Sequence, residues 1–191
     1  MHKKTDFNSL DRLISFLRAN KIKKFLADSR RICDLGCGDG RLLRYLNAIF
    51  NFEYCLGIDR KADNEQSGNL EFIRGDIDKI PAKNNAFDAV LMLAVIEHIE
   101  PFNLRAVLDE VRRILKKNGK LIITTPTPAS KPVLEFLAFK LGIISKTEIA
   151  DHKRYYDLAE LQVLLKNAGF KCELGKKFQF GFNSYLIAKK T

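Results

Sequence analysis

Ile32-Cys33-Asp34-Leu35-Gly36-Cys37-Gly38-Asp39-Gly40 is the stretch on which the reading of this chain turns. An apolar run ends in an acid, and three glycines follow at alternating positions. Such a pattern is the end of a buried strand, then a turn that something approaches closely, then the start of a helix. Glycine removes the Cβ that would block the approach, and the helix start offers backbone N–H groups with no partner in the helix. The segment therefore predicts a small-molecule site at the carboxyl edge of a parallel sheet.

Outward from this turn, strand and helix signals alternate. Arg31–Leu35 reads as a first strand and Arg41–Ile49 as the helix leaving the glycines. Glu53–Ile58, Leu70–Arg74 and Phe87–Leu93 read as the next three strands. A helix is expected from Asn103, a suitable N-cap, with Leu104, Val107, Leu108, Val111, Ile114 and Leu115 on one face. Asn118-Gly119 ends it, and Lys120–Thr124 forms a fifth strand. Lys131–Ile144 reads as helical and rather apolar. Asp157-x-x-Glu160 caps another helix, which Gly169 stops. Phe170–Leu174 and Phe182–Ala188 read as a closing antiparallel pair. Before the first strand, Leu10, Leu13, Ile14 and Leu17, then Ile22, Phe25 and Leu26, predict one or two basic amphipathic helices. The whole is a doubly wound α/β sheet, expected as a single domain over 1–191, with residues 1–29 a basic helical extension and 30–191 the core.

Three acids fall where strands end on one edge: Asp34, Asp59 and Asp76. Asp59 lies 19 residues beyond Gly40, about the distance at which an acid meets ribose hydroxyls. A nicotinamide dinucleotide is the obvious rival ligand, but the glycines are spaced G-x-G-x-G, and Asp34 would repel a pyrophosphate. A ligand with a cationic end suits Asp34 better.

These blocks together resemble a class I S-adenosylmethionine-dependent methyltransferase of the small ubiquinone/menaquinone-methyltransferase-like type. Asp34 to Gly40 is similar to that family's first motif, and Gly57-Ile58-Asp59 to its ribose-binding motif. Arg74-Gly75-Asp76-Ile77 resembles the adenine-side motif. Phe87-Asp88-Ala89-Val90 with Val95-Ile96-Glu97-His98 resembles the fourth-strand block, and Leu115 to Leu121 the turn into strand five. The resemblance spans roughly residues 30–190. It implies a Rossmann-like methyltransferase fold with a mostly parallel seven-stranded sheet and S-adenosyl-L-methionine as cofactor. By position it implies that Asp34 and the backbone at Gly36 and Gly38 hold the methionine portion, and that Asp59 takes the ribose. Asp76 and the backbone of Ile77 would take the adenine, with Leu93-Ala94 passing the sulfonium. Two departures stand out: Arg60–Asn69 is short for the usual helix, leaving the adenine side more open, and Asn118 replaces the customary proline.

Methyl transfer is an in-line displacement in which positioning supplies much of the catalysis. A base is useful for a hydroxyl or ammonium acceptor, and His98 and His152 are the candidates, with Glu97, Tyr155 and Tyr156 behind them. His152, in a segment resembling the family's H-x-R-x-[FY] block beside the substrate opening, is preferred over His98 as a substrate contact. No histidine pairs with a cysteine in a ligand-like spacing, so no metal is expected.

The chain has 191 residues and a formal net charge of +10. Charge is concentrated in the flanks: +6 over residues 1–31, −1 over 32–130 and +5 over 131–191. Basic flanks can steer an anionic partner such as RNA, a phosphorylated metabolite or an acidic lipid surface, or can simply keep the surface solvated. No apolar run reaches the roughly 20 residues of a membrane span. The start, Met1 to Asp6, has no apolar region behind its lysines, and scattered Cys33, Cys37, Cys55 and Cys172 read as reduced thiols of a cytoplasmic protein. The apolar Lys131–Ile144 segment is ordinary core, a cap on an apolar pocket, or a rest on a membrane surface. A small-molecule or lipid-like acceptor is the first reading. RNA comes second, because strand four lacks the N/D-P-P-Y type of motif and no aromatics interleave with the basic N-terminus. A cofactor-binding but catalytically silent partner subunit is the third.

Overall fold

The computed structural model describes residues 9–191, with side chains from Leu13 onward; Met1 to Asn8 and the side chain of Leu10 lie outside the described residues. Eight strands form one sheet: β1 (Arg31–Leu35), β2 (Tyr54–Asp59), β3 (Glu65–Ser67), β4 (Leu70–Arg74), β5 (Phe87–Leu93), β6 (Leu115–Pro126), β7 (Phe170–Phe178) and β8 (Asn183–Lys190). Their order is β3-β4-β2-β1-β5-β6-β8-β7. The pairs from β4 through β6 are parallel, while β6–β8, β7–β8 and β3–β4 are antiparallel. The chain runs outward from β1 through β2 to β4, then returns to place β5 on the other side of β1. That reversal opens a crevice at the carboxyl ends of β1 and β5, where ligands bind in such sheets.

Helices cover both faces. α1 (Ser9–Ile22), a 3-10 turn at Lys23–Leu26 and α2 (Arg41–Phe50) lie on one side. There Ile22, Leu26, Leu43 and Leu46 pack on Ile32, Ala89, Leu91, Ile122 and Ile187. α3 (Leu104–Ile114) and α6 (Leu158–Asn167) cover the other. There Val107, Val111, Ile114, Leu161 and Leu165 pack on Cys33, Leu35, Val90, Met92, Leu121 and Ile123. Both cores require strands apolar on both faces, which is why β1 and β5 read as nearly continuous hydrophobic runs. Alternation along β1 sends Cys33 and Leu35 to the α3/α6 side, and Asp34 to the α1/α2 side.

Four sequence expectations change. The sheet has eight strands where seven were expected, because Glu65–Ser67 folds back as an edge strand on β4. That strand occupies the short Arg60–Asn69 connection, which has no helix. Asn103 stands at the start of α3, but its side chain makes no capping bond. Lys131–Ile144 is not one helix: α4 (Lys131–Glu135) widens into a π-turn at Phe136–Lys140, and Gly142 at φ +63° ends it. Strand β6 begins at Leu115, its pairing to β5 interrupted by a register shift. Within that bulge Asn118 sits at φ +62°, a conformation closed to proline, so the replacement of the family's proline is matched by a different turn.

The start of β1 is clamped by Asp88 of β5, whose Oδ2 accepts from the backbone N–H groups of Arg30 (3.0 Å) and Arg31 (2.8 Å). Lys116 Nζ donates to its Oδ1 at 2.6 Å. Partial burial alone would raise this carboxyl, but Lys116 and the two N–H groups hold it below the ordinary carboxylate range.

Candidate active site

Gly36 carries the chain out of β1 at φ +73°, and a Cβ there would stand 2.5 Å from Val95 Cγ2. Both facts demand glycine. The turn is tied to its neighbour by its own backbone: Gly36 N–H donates to the Ile58 carbonyl at 2.7 Å, and Gly38 N–H to Asp59 Oδ2 at 2.9 Å. A Cβ built on Gly38 would meet nothing within 4 Å, so that side of the turn is open space.

Asp34, just before the turn, is 2 % exposed. Burial, and then the nearby Asp59 charge, pushes its carboxyl up to about 7. A buried carboxyl in this state gains strongly from a cation placed beside it. Asp59, at the end of β2, spends one lone pair on Gly38, and its Oδ1 accepts from Lys61 N–H at 2.7 Å. Ile77 lines the same cavity, together with Gly75, Asp78 and the Phe72 ring. Asp76 is placed differently from its neighbours: it holds the Arg60 guanidinium at 2.5 Å and is not among the residues lining the cavity.

At the end of β5, Leu93 and Ala94 line the cavity. Ala94 adopts φ +59°, with its N–H donating to the Thr124 carbonyl at 2.8 Å. A left-handed alanine costs of order 1 kcal/mol or more and persists only where its surroundings enforce it. The 3-10 turn Ile96–His98 follows. Glu97 is 1 % exposed, and its Oε2 accepts from Thr125 Oγ1 at 3.0 Å. Burial raises the Glu97 carboxyl, against the charges of His98 and Arg18. The Glu97 carbonyl accepts from Lys153 N–H at 2.7 Å, which brings the His152 segment against the end of β5.

His98 and His152 thereby meet edge to face, ring centroids 4.8 Å apart. His98 Nδ1 donates to Asp151 Oδ2 at 3.2 Å. His152 Nδ1 lies 2.8 Å from the Tyr155 hydroxyl. Burial, then the charges of His98 and Arg18, lowers His152 to about 4, while burial raises Tyr155 to about 12. His152 is therefore a neutral imidazole near pH 7, and Tyr155 a neutral phenol. His98, His152 and Tyr155, candidates for acceptor chemistry, form one cluster, with both histidines lining the cavity.

This cavity measures about 1490 Å³ and runs from the glycine turn past Ala94 to His98 and His152. It exceeds the roughly 300–1,000 Å³ of an ordinary ligand pocket, leaving room for two molecules end to end. A family model described as a methyltransferase domain matches residues 3–174. The chain belongs to the methyltransferase-domain family. It is 31% identical over 149 residues to a protein of Encephalitozoon cuniculi assigned as a methyltransferase, covering 73% of this chain and 70% of that one. It is 27% identical to the ubiquinone/menaquinone biosynthesis C-methyltransferase UbiE of Campylobacter jejuni, over 87% of this chain and 81% of that protein. Among solved structures, the PH0226 protein of Pyrococcus horikoshii superposes with a TM-score of 0.75 at 22% identity, covering 98% and 95% of the two chains.

As a methyltransferase the chain uses S-adenosyl-L-methionine, a molecule that carries an ammonium and a sulfonium. Sequence reasoning missed several of this enzyme's lining residues. Leu13, Ile14, Phe16 and Arg18 of α1 wall the cavity, as do Leu134 and Ile144. Arg44 stacks over Phe72, its guanidinium carbon 4.2 Å from the ring centroid, and donates to Glu65 on the edge strand at 2.6 Å. None of these contacts carries a local signal, since each depends on how distant elements pack.

Proposed function

We propose that this methyltransferase transfers a methyl group to a small, lipid-like acceptor. The observation that carries the reading is the segment Lys131–Ile144. It walls the cavity with Leu134 and Ile144, while Val133, Phe136, Phe139, Leu141 and Ile143 are exposed on it. Phe136 is 53 % and Phe139 48 % exposed, an uncommon density of apolar surface for a short stretch. Lys131, Lys140 and Lys146 accompany it, a composition suited to resting on an anionic lipid surface beside the cavity. The chain works as one catalytic unit, with Leu13, Ile14, Phe16 and Arg18 of α1 forming one wall of the cavity. Among the described residues no helix is long and apolar enough to cross a membrane. The four cysteines are free, in keeping with a cytoplasmic setting.

In this reading Asp34 holds the cofactor ammonium. The N–H groups of Gly36 and Gly38 are spent on the turn itself, so the turn offers carbonyl oxygens, which also suit a cation. Asp59 accepts from the ribose hydroxyls, each charge-assisted bond contributing roughly 1.5–3 kcal/mol. Ile77 and Phe72 flank the adenine, and Asp76 can reach it only by leaving Arg60. The strained peptide at Leu93-Ala94 faces the sulfonium. His98, His152 and Tyr155 receive the acceptor, and holding its nucleophilic atom in line with the methyl carbon contributes as much as ~7–11 kcal/mol.

The test is incubation of purified protein with methyl-labelled cofactor and fractionated cell extract. Label in the organic-soluble fraction is the expected result. Label in RNA would overturn the acceptor class, and binding of NADH without binding of S-adenosylhomocysteine would overturn the cofactor assignment.

A further inference from the structure

Glu97, His98 and His152 each offer one potential ligand atom within 4.8 Å of the others, the one such group of histidine, cysteine and acidic side chains found among the described residues. All three line the cavity beside Ala94. We propose that they form a divalent-metal site of the two-histidine, one-carboxylate type, which binds the oxygen atom of the methyl acceptor. This role rests on the methyltransferase reading and refines it, from a lipid-like acceptor in general to one methylated on oxygen.

The second observation is what stands behind the rings. A metal-binding histidine nearly always uses its other ring nitrogen to donate to an orienting oxygen, which fixes the tautomer. Both histidines have that partner. His98 Nδ1 faces the Asp151 carboxylate at 3.2 Å, and His152 Nδ1 the Tyr155 oxygen at 2.8 Å. With Nδ1–H donating outward, Nε2 of each ring keeps its lone pair for a metal. Glu97 is arranged in the same way. Its Oε2 accepts from Thr125 Oγ1 at 3.0 Å, which leaves Oε1 open to a metal. Ligand atoms of one metal stand about 3–4 Å apart when bonds are near 2.1 Å, so small side-chain rotations close the present spacing.

Two imidazoles and one carboxylate suit zinc, iron(II), cobalt(II) or manganese(II) better than magnesium or calcium. Three protein ligands leave coordination positions open toward the cavity. Arg18 brings a further positive charge to bear on both Glu97 and His152, which favours an anionic acceptor oxygen. A hydroxyl or carboxyl oxygen bound there releases its proton to solvent. Its lone pair then forms the new bond to the methyl carbon while the carbon–sulfur bond breaks, its electron pair remaining on sulfur. The products are the methylated oxygen compound and S-adenosylhomocysteine.

The test is cobalt(II) titration of the chelator-treated full chain, followed by visible absorption, with S-adenosylhomocysteine binding measured on the same samples. The expected result is one saturable cobalt(II) per chain with ligand-field bands. His98→Ala and His152→Ala should lose it, and Asp151→Asn should weaken it roughly 10–100-fold. All three should bind S-adenosylhomocysteine as the parent does, which shows that they are folded. Absence of saturable cobalt(II) binding by a parent chain that binds S-adenosylhomocysteine would overturn the proposal, as would unchanged binding in His98→Ala and His152→Ala. A parent that binds cobalt(II) at these residues but not S-adenosylhomocysteine would retain the metal site and refute the cofactor reading instead.

Discussion

The carboxylate of Asp59 accepts a hydrogen bond from the backbone N–H of Gly38 at 2.9 Å. The acid at the end of β2 thus fixes the glycine turn at the end of β1, and these two parts of the cavity wall are one hydrogen-bonded unit. With Asp59 holding the ribose as proposed, Asp59→Ala should remove those contacts and loosen the turn together. Two charge-assisted bonds at roughly 1.5–3 kcal/mol each predict at least a hundredfold loss of S-adenosylhomocysteine affinity. Asp59→Asn keeps an acceptor for either Gly38 or Lys61 and should lose less. Calorimetry on the two variants checks the order.

Asp34 predicts a pH-dependent affinity. Its folded value of about 7 lies above the ordinary aspartate value of 3.8. Protonation therefore favours the cofactor-free folded chain at low pH. The relative stabilisation is fully present below the ordinary value and is lost as pH rises through about 7, a swing of roughly 4 kcal/mol. With the cofactor ammonium beside this carboxylate, as proposed, binding reverses that loss. S-adenosylhomocysteine should bind about tenfold more weakly for each pH unit below 7, levelling off above it. Asp34→Asn should bind weakly with little pH dependence between 5.5 and 7.5.

Much of this arrangement was legible in the sequence because it depends on local chemistry. The glycine turn, the parallel strands β1, β2, β4 and β5, and the Asp157 cap follow from backbone demands or apolar alternation over a few residues. The Asp157 side chain does accept from Glu160 N–H, at 2.8 Å. Edge strand β3 was not legible, since Glu65-Gln66-Ser67 has no apolar face and pairs only because β4 presents an open edge. The turn of Asp76 toward Arg60 was hidden for a related reason: a surface ion pair leaves no pattern in the chain. His98 and His152 were each visible, but their meeting depends on the Lys153 N–H to Glu97 carbonyl bond across 56 positions.

Asp88 predicts the opposite pH behaviour to Asp34. Its carboxyl is held below the ordinary value by Lys116 and two backbone N–H groups, despite the opposing effect of burial. Its contribution to stability is present above the unfolded aspartate value and lost as pH falls through the lower folded one. Asp88→Ala at neutral pH leaves Lys116 without this partner and frees the start of β1, a cost of roughly 2–4 kcal/mol. Denaturant unfolding at pH 7 should show that loss, and the gap between variant and parent should shrink below pH 4. S-adenosylhomocysteine affinity of the folded variant should stay within a factor of a few, because Asp88 does not line the cavity.

Gly36 and Val95 yield a prediction in which packing and backbone strain separate. Gly36→Ala places a methyl 2.5 Å from Val95 Cγ2 and holds an alanine at φ +73°. The clash costs roughly 1–3 kcal/mol and the left-handed conformation about 1–3 more. At about 2–4 °C per kcal/mol for a chain of this size, the melting temperature should fall by roughly 5–20 °C. Val95→Ala removes the clashing methyls but leaves the backbone strain. The double variant Gly36→Ala/Val95→Ala should therefore be less destabilised than the sum of the two single changes, with a coupling of roughly 1–2 kcal/mol in a double-mutant cycle. Strict additivity would mean that the turn shifts away from Val95 when Gly36 is replaced. In that event cofactor affinity should fall as well, because the same shift moves Gly38 off Asp59.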